Sequence, residues 1–102
     1  MDPMAFDHFH DMVTGKGAFR YIFEDNILAE MAYSMPNASL LIIDHTEVDE
    51  SLKGQGLGKK LQQDLVDYVR ANGIKVIPIC PFARTQFERM KEWQDVLKIP
   101  LS

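Results

Sequence analysis

One hundred and two residues, 46% hydrophobic and 25% charged, suffice for one domain with a single core and exclude a fibrous or low-complexity chain. A formal net charge of -4 provides no global positive field, so neither nucleic acid nor anionic membrane is expected as a partner. The single cysteine, Cys80, cannot close an intramolecular disulfide and forms no metal cluster with three scattered histidines, which predicts a reduced, cytoplasmic, metal-free protein.

In chain order, residues 1–18 lack sustained periodicity. Phe6, Phe9, Met12 and Val13 fit one face of a short helix ended by Gly15 and Gly17. The segment is expected to be a mobile or loosely docked leader. His8 and His10 have metal-ligand spacing only in the loosest sense. Met1-Asp2-Pro3-Met4 is not a basic stretch followed by an apolar run, so no secretory signal is expected, and the longest apolar runs, such as Leu40-Leu41-Ile42-Ile43, fall far short of a membrane span.

Phe19–Phe23 is aromatic and β-branched and predicts a strand; Glu24-Asp25-Asn26 predicts a tight turn. Ile27–Ser34 returns as a second strand, residues 35–39 form a loop, and Leu40–Val48 is a third strand. The pattern then changes period. Leu57, Leu61, Leu65 and Tyr68 or Val69 recur at three and four residues, marking an amphipathic helix that Asn72-Gly73 ends. Ile74–Ile79 follows as a strand parallel to Leu40–Val48, and Thr85–Met90 as a second helix. The predicted order is β-β-β-α-β-α, an α+β domain.

Between strand and helix stand three glycines at alternate positions, in Lys53-Gly54-Gln55-Gly56-Leu57-Gly58. Each would cost about 1 kcal/mol relative to Ala inside a helix. What they offer is bare backbone whose N–H groups can approach an anion at a helix N-terminus. Lys59 and Lys60 oppose the helix dipole by roughly 0.3–1 kcal/mol each, which makes sense beside a phosphate. A Walker A loop fails, because Lys53 stands where its first glycine belongs and Lys60 where its hydroxyl belongs. The G-x-G-x-x-G dinucleotide fingerprint fails too, since neither register ends on glycine. An ordinary tight β-α turn remains the plain alternative.

This segment resembles the coenzyme A loop of the GNAT (acyl-CoA N-acyltransferase) superfamily, Q/R-x-x-G-x-G/A, with Lys53 where Gln or Arg is usual. His45-Thr46-Glu47-Val48 before it, and Cys80-Pro81-Phe82 after the next strand, are similar to those of a compact GNAT-like family with little outside the core. The likeness covers about residues 19–97 and implies a minimal GNAT-like domain over 19–99. It implies that Val48, Lys53, Gly54, Gln55, Gly56, Leu57, Gly58 and Lys59 hold acetyl-coenzyme A, with the pantetheine between the two parallel strands. Acetyl transfer to an unidentified small amine or peptide amine is the implied activity, by a monomer or weak dimer. A non-catalytic acyl-coenzyme A binding module and an interaction protein without cofactor are the rivals. Pro78 and Pro81 lack donors, so the strand between helices cannot complete a ladder; this suits an inserted cofactor or, equally, a blunted edge.

Strand alternation puts Leu41, Ile43, His45 and Glu47 on one side, and Ile42, Asp44, Thr46 and Val48 on the other. His45 can then accept the amine proton, directly or through water, or make a structural hydrogen bond. Glu47 can do the same if buried, and otherwise faces solvent. Cys80, ending the adjacent strand, is a nucleophile, a wall of the acetyl pocket or a plain buried thiol.

Overall fold

The computed structural model describes residues 4–100. Five strands pair in sequence order into one sheet: β1 (Met4–His10), β2 (Lys16–Phe23), β3 (Asn26–Asn37), β4 (Leu40–Val48) and β5 (Lys75–Pro78). β1 to β4 form an antiparallel meander, and β5 joins β4 in parallel after the crossover helix α1 (Leu57–Asn72). A second helix, α2 (Pro81–Arg89), and a 3-10 segment, Lys91–Val96, complete the described chain. The expected α+β order holds from residue 19 onward.

Local chemistry sets the joints. The β2–β3 hairpin turns on Glu24 and Asp25, both with positive φ (49° and 67°), the primed geometry that matches strand twist. Asn26 already opens β3, and β3 runs on to Asn37, leaving Ala38 and Ser39 as the turn where a longer loop was expected. Asn37 closes it by accepting from the Ser39 N–H and hydroxyl, both at 2.9 Å. α1 starts at Leu57 and stops at Gly73, whose left-handed φ of 67° lets its N–H reach the Val69 carbonyl. α2 begins four residues before the expected Thr85, because Pro81 at its first turn needs no N–H partner.

Both helices pack on one face of the sheet. Leu61, Leu65, Val66 and Val69 of α1, with Ala83 and Phe87 of α2, bury themselves against Met31, Tyr33, Leu41, Ile43 and Val76. Gln62, also fully buried, donates from Nε2 to the Ala83 carbonyl at 3.0 Å, tying α1 to α2. Trp93 closes the far end, its indole N–H on Gln63 at 3.2 Å.

Residues 4–18 differ from expectation, and the first three residues of the expected leader lie outside the described residues. No helix covers Phe6 to Val13; residues 4–10 are a full edge strand, and the anticipated boundary between residues 18 and 19 falls inside β2. Period two wins over period 3.6 because β1's alternating side chains each find cross-strand partners. Asp7 takes a bidentate grip from Arg20 (2.8 and 2.7 Å), which holds its carboxyl below the usual range. On the helix face, His8 Nε2 and His10 Nδ1 share the Tyr33 hydroxyl, at 2.6 and 2.9 Å. Tyr33 lies two strands away, on β3, and its ring crosses β2 at Gly17. A Cβ there would stand 2.5 Å from the ring and 2.4 Å from the Phe9 carbonyl. Met12 and Val13, counted toward the helix face, sit in the exposed turn instead.

Two expected outcomes follow from this cluster. Gly17→Ala lowers stability by about 2 kcal/mol through overpacking against Tyr33, read as a lower urea midpoint with unchanged slope. The second concerns pH. His8 stacks on Phe19 (4.1 Å) and meets Tyr68 edge-on (4.5 Å), and this desolvation, with His10 nearby, lowers its pKa from 6.5 despite Asp7. Unfolded, His8 takes a proton below its ordinary value; folded, only at lower pH. The unfolded chain therefore binds more protons just below pH 6.5, and stability falls as pH drops through that window. His8→Gln flattens the slope of urea stability between about pH 7 and 5.5. An unchanged slope refutes the assignment to His8.

Candidate active site

The sheet opens beyond Ile43. β4 and β5 pair only from Leu40↔Lys75 to Ile43↔Pro78, after which the Ile43 carbonyl accepts from both Ile79 N–H (3.2 Å) and Cys80 N–H (3.1 Å). Pro78 and Pro81 have no N–H to offer, so the ladder goes no further. β4 nevertheless continues to Val48 on its β3 side, leaving Asp44–Val48 beside a gap. Cys80 is extended there (φ -68°, ψ 125°), as its place before a proline predicts.

A bulge decides which side chains meet this gap. Tyr33 pairs with Ile43, but its neighbour Ala32 pairs with His45, so Asp44 is an extra residue in β4. Each residue after it changes face. Thr46 pairs with the buried Met31 and Val48 with the buried Ala29, on the helix side. His45 and Glu47 pair with Ala32 and Glu30 and are exposed on the outer face. The strict alternation expected from sequence is therefore wrong past Asp44. His45 Nε2 lies 3.9 Å from Glu30 Oε1, and Glu47 lacks the burial that a basic role for it required. Cys80 has as polar neighbour the Thr46 hydroxyl, 3.4 Å from its Sγ, rather than His45.

On the helix side the gap widens into a cleft of about 580 Å³. One wall is Thr46 and Val48 from β4. The rim is Leu52, Lys53, Gly54, Gly56, Leu57, Gly58 and Lys59; the far wall is Phe82, Gln86, Arg89 and Met90 from α2. Seven of the eight expected cofactor residues line it, while Gln55 is exposed outside the lining.

The glycines do different work. Gly54 and Gly56 take left-handed φ (82° and 77°) with nothing within 4 Å of a built Cβ, so they shape an open turn. Gly58 has an ordinary φ but faces the Phe82 ring, 2.5 Å from where its Cβ would be. Neither helix has a side-chain N-cap or a first-turn acid, so N–H groups at the start of α1 face the cleft unneutralised. Lys53, Lys59 and Arg89 line the cleft and no carboxylate does, although Lys53 Nζ reaches Glu50 on the loop at 2.7 Å.

Sequence reasoning missed Thr46 and the stripe Gln86, Arg89 and Met90. The spacing 82, 86, 89, 90 is a helical face, but it was hidden while the helix was expected to begin at Thr85. Thr46 was hidden by the bulge. Among the described residues, no group of three or more His, Cys, Asp or Glu is placed to hold a metal, and no helix is long and apolar enough to cross a membrane.

With this geometry, the chain can be set beside known proteins. The sequence model for GCN5-related N-acetyltransferases matches residues 18–96. A search of the curated proteins finds no match. Among solved structures, a GCN5-like putative N-acetyltransferase from Staphylococcus aureus is 33% identical, with a TM-score of 0.74, covering 100% of this chain and 94% of that one. A ribosomal-protein-alanine N-acetyltransferase from Brucella melitensis biovar Abortus 2308 shares the fold at 19% identity and TM-score 0.63, covering 74% and 61% of the two chains. So does a GNAT family acetyltransferase from Elizabethkingia anophelis with acetyl-CoA bound, at 10% identity and TM-score 0.61, covering 87% and 74%.

Cys80, 4% exposed behind Thr46, should react with a small thiol reagent about tenfold or more slowly in the native protein than in urea. Equal rates would place the thiol on the surface.

Proposed function

The chain belongs to the GCN5-related N-acetyltransferase family, and on that premise we propose that its cleft binds acetyl-coenzyme A and that it acetylates a small amine or peptide amine. One observation carries the reading. In a protein of net charge -4, the cleft joins an uncapped helix N-terminus, two left-handed glycines and three cations, with no carboxylate in its lining. That donor set fits a polyanionic cofactor and suits a neutral or cationic ligand poorly. The acetyl-CoA-bound relative from Elizabethkingia shares the fold and supports the choice.

Bound there, the cofactor supplies an acetyl group activated as a thioester. The chain's own groups have separate tasks. Backbone N–H groups from Gly54 to Lys59 hold the pyrophosphate, and Lys53 and Lys59 add charge at the rim. Val48 and Thr46 guide the pantetheine arm along β4 toward the gap. The acceptor amine comes from the outer face of β4, where His45 takes its proton directly or through one water and Glu30, 3.9 Å from its Nε2, adds negative charge beside the imidazole. Glu47, directly across from Glu30, draws a cationic acceptor to that face. Cys80 walls the acetyl end behind Thr46; its burial supports this over a nucleophilic role. The reaction is assigned to the cytoplasm, with the chain a monomer or weak dimer. The second reading, a non-catalytic acyl-coenzyme A binding module, draws on the outward turn of His45 and Glu47, away from the cleft lining.

Acetyl-CoA at about a hundred times its Kd adds about 2.7 kcal/mol of stability, a Tm rise on the order of 10 °C for a domain this size. Gly56→Asn, whose side chain tolerates the left-handed turn but projects from it, keeps the fold and loses most of that rise. No rise for the native chain sinks the cofactor assignment. An amine panel then separates enzyme from binding module: turnover should fall at least tenfold in His45→Ala with acetyl-CoA affinity retained, and a native protein that binds but never turns over is the module.

A further inference from the structure

Five basic residues lie on the two helices, and their pairing is uneven. Lys60 is bonded to Asp64 at 2.7 Å, Arg70 to Asp95 at 2.6 Å, and Arg84 faces Glu88 at 3.9 Å. Lys59 and Arg89 have no carboxylate partner among the described residues, and these two line the cleft. The loop and the α1 N-terminus already provide for a pyrophosphate. Arg89 belongs to neither. It stands on the opposite wall, two helical turns beyond Phe82, whose ring covers Gly58. Seven residues of helix put its Cα about 10 Å along the wall from that contact. A guanidinium based there faces a part of the cleft that the loop amides do not serve.

We propose that Arg89, with Lys59 across the rim, reads the 3′-phosphate of coenzyme A and so makes the cleft selective for the 3′-phosphorylated cofactor. This rests on the cofactor reading above. A phosphate monoester carries about -1.5 to -2 charge near neutral pH and three acceptor oxygens, and the planar fork of arginine meets two of them at once. Lys59, in the first turn of α1, adds a point charge. Met90, beside Arg89 and partly buried, gives the nucleoside an apolar bed.

The test is calorimetric and needs no turnover. Coenzyme A and 3′-dephospho-coenzyme A are titrated into the native protein and into Arg89→Gln. Arg89 is exposed and unpaired, so the variant keeps the native Tm. The native protein should bind coenzyme A about tenfold more tightly than the dephospho form. In Arg89→Gln that preference should fall to about twofold or less, with dephospho-coenzyme A affinity unchanged; Arg89→Lys should be intermediate, its loss reflecting the missing fork. Equal affinities in the native protein, or equal losses for both ligands in the variant, overturn the 3′-phosphate site and leave the cofactor reading standing. Failure of the native protein to bind either ligand overturns both.

Discussion

β4 has to satisfy two neighbours of unequal length. It pairs with β3 over its whole course but with β5 for only four residues, because Pro78 and Pro81 end the parallel ladder at Ile43. Everything about the candidate site follows from that mismatch. The remaining backbone of β4 lies beside a gap, and the extra residue at Asp44 rotates Thr46 and Val48 into it. Without the bulge, two charged or polar side chains, His45 and Glu47, would point at the core beneath α1 and α2, where an ionised group costs several kcal/mol. The bulge therefore serves packing and site together.

The walls of the cleft are held by interactions just behind them. Gly58 and Phe82 touch at the mouth; about one turn further along α1, Gln62 donates to the Ala83 carbonyl. The other end of that amide, Oε1, is buried with no partner, a cost of about 1–3 kcal/mol. A leucine would fill the space without that cost but would remove the side-chain hydrogen bond that joins α1 to α2. Arg70 does a similar job at the far end, gripping Asp95 and the Glu92 carbonyl. The cleft's width is thus fixed by α1, which is anchored to its neighbours at both ends.

How much of this could be read from the sequence depended on whether the signal was local. The hairpin turn at Glu24-Asp25, the β4 span, the α1 span with its glycine stop and the extended Cys80 all follow from adjacent residues. What failed needed partners distant in sequence. β1 looked irregular because its stabilising contacts are with Arg20 and Tyr33, thirteen and about twenty-five residues away. Gly17 read as a helix stop, whereas it is a passage for the Tyr33 ring. The bulge at Asp44 has no signature of its own, since nothing in Leu-Leu-Ile-Ile-Asp-His shows that pairing will skip a residue. One such skip moved the expected catalytic pair to the other face. The turn at Gly54 and Gly56 was legible because its signal, alternate glycines ahead of a helix start, is local too.

That reversal separates charge across one strand. On the helix face, β4 borders a cleft lined by Lys53, Lys59 and Arg89 without a carboxylate. On the outer face, Glu30 and Glu47 sit directly opposite each other, with His45 and Asp44 beside them. Like charges paired across strands cost stability, and Arg20, opposite Glu30 on β2, offsets part of that cost. The two faces meet only where β4 has lost β5, at residues 44–48. An anion held on one side and a cation attracted to the other would come together at that gap and nowhere else along the sheet.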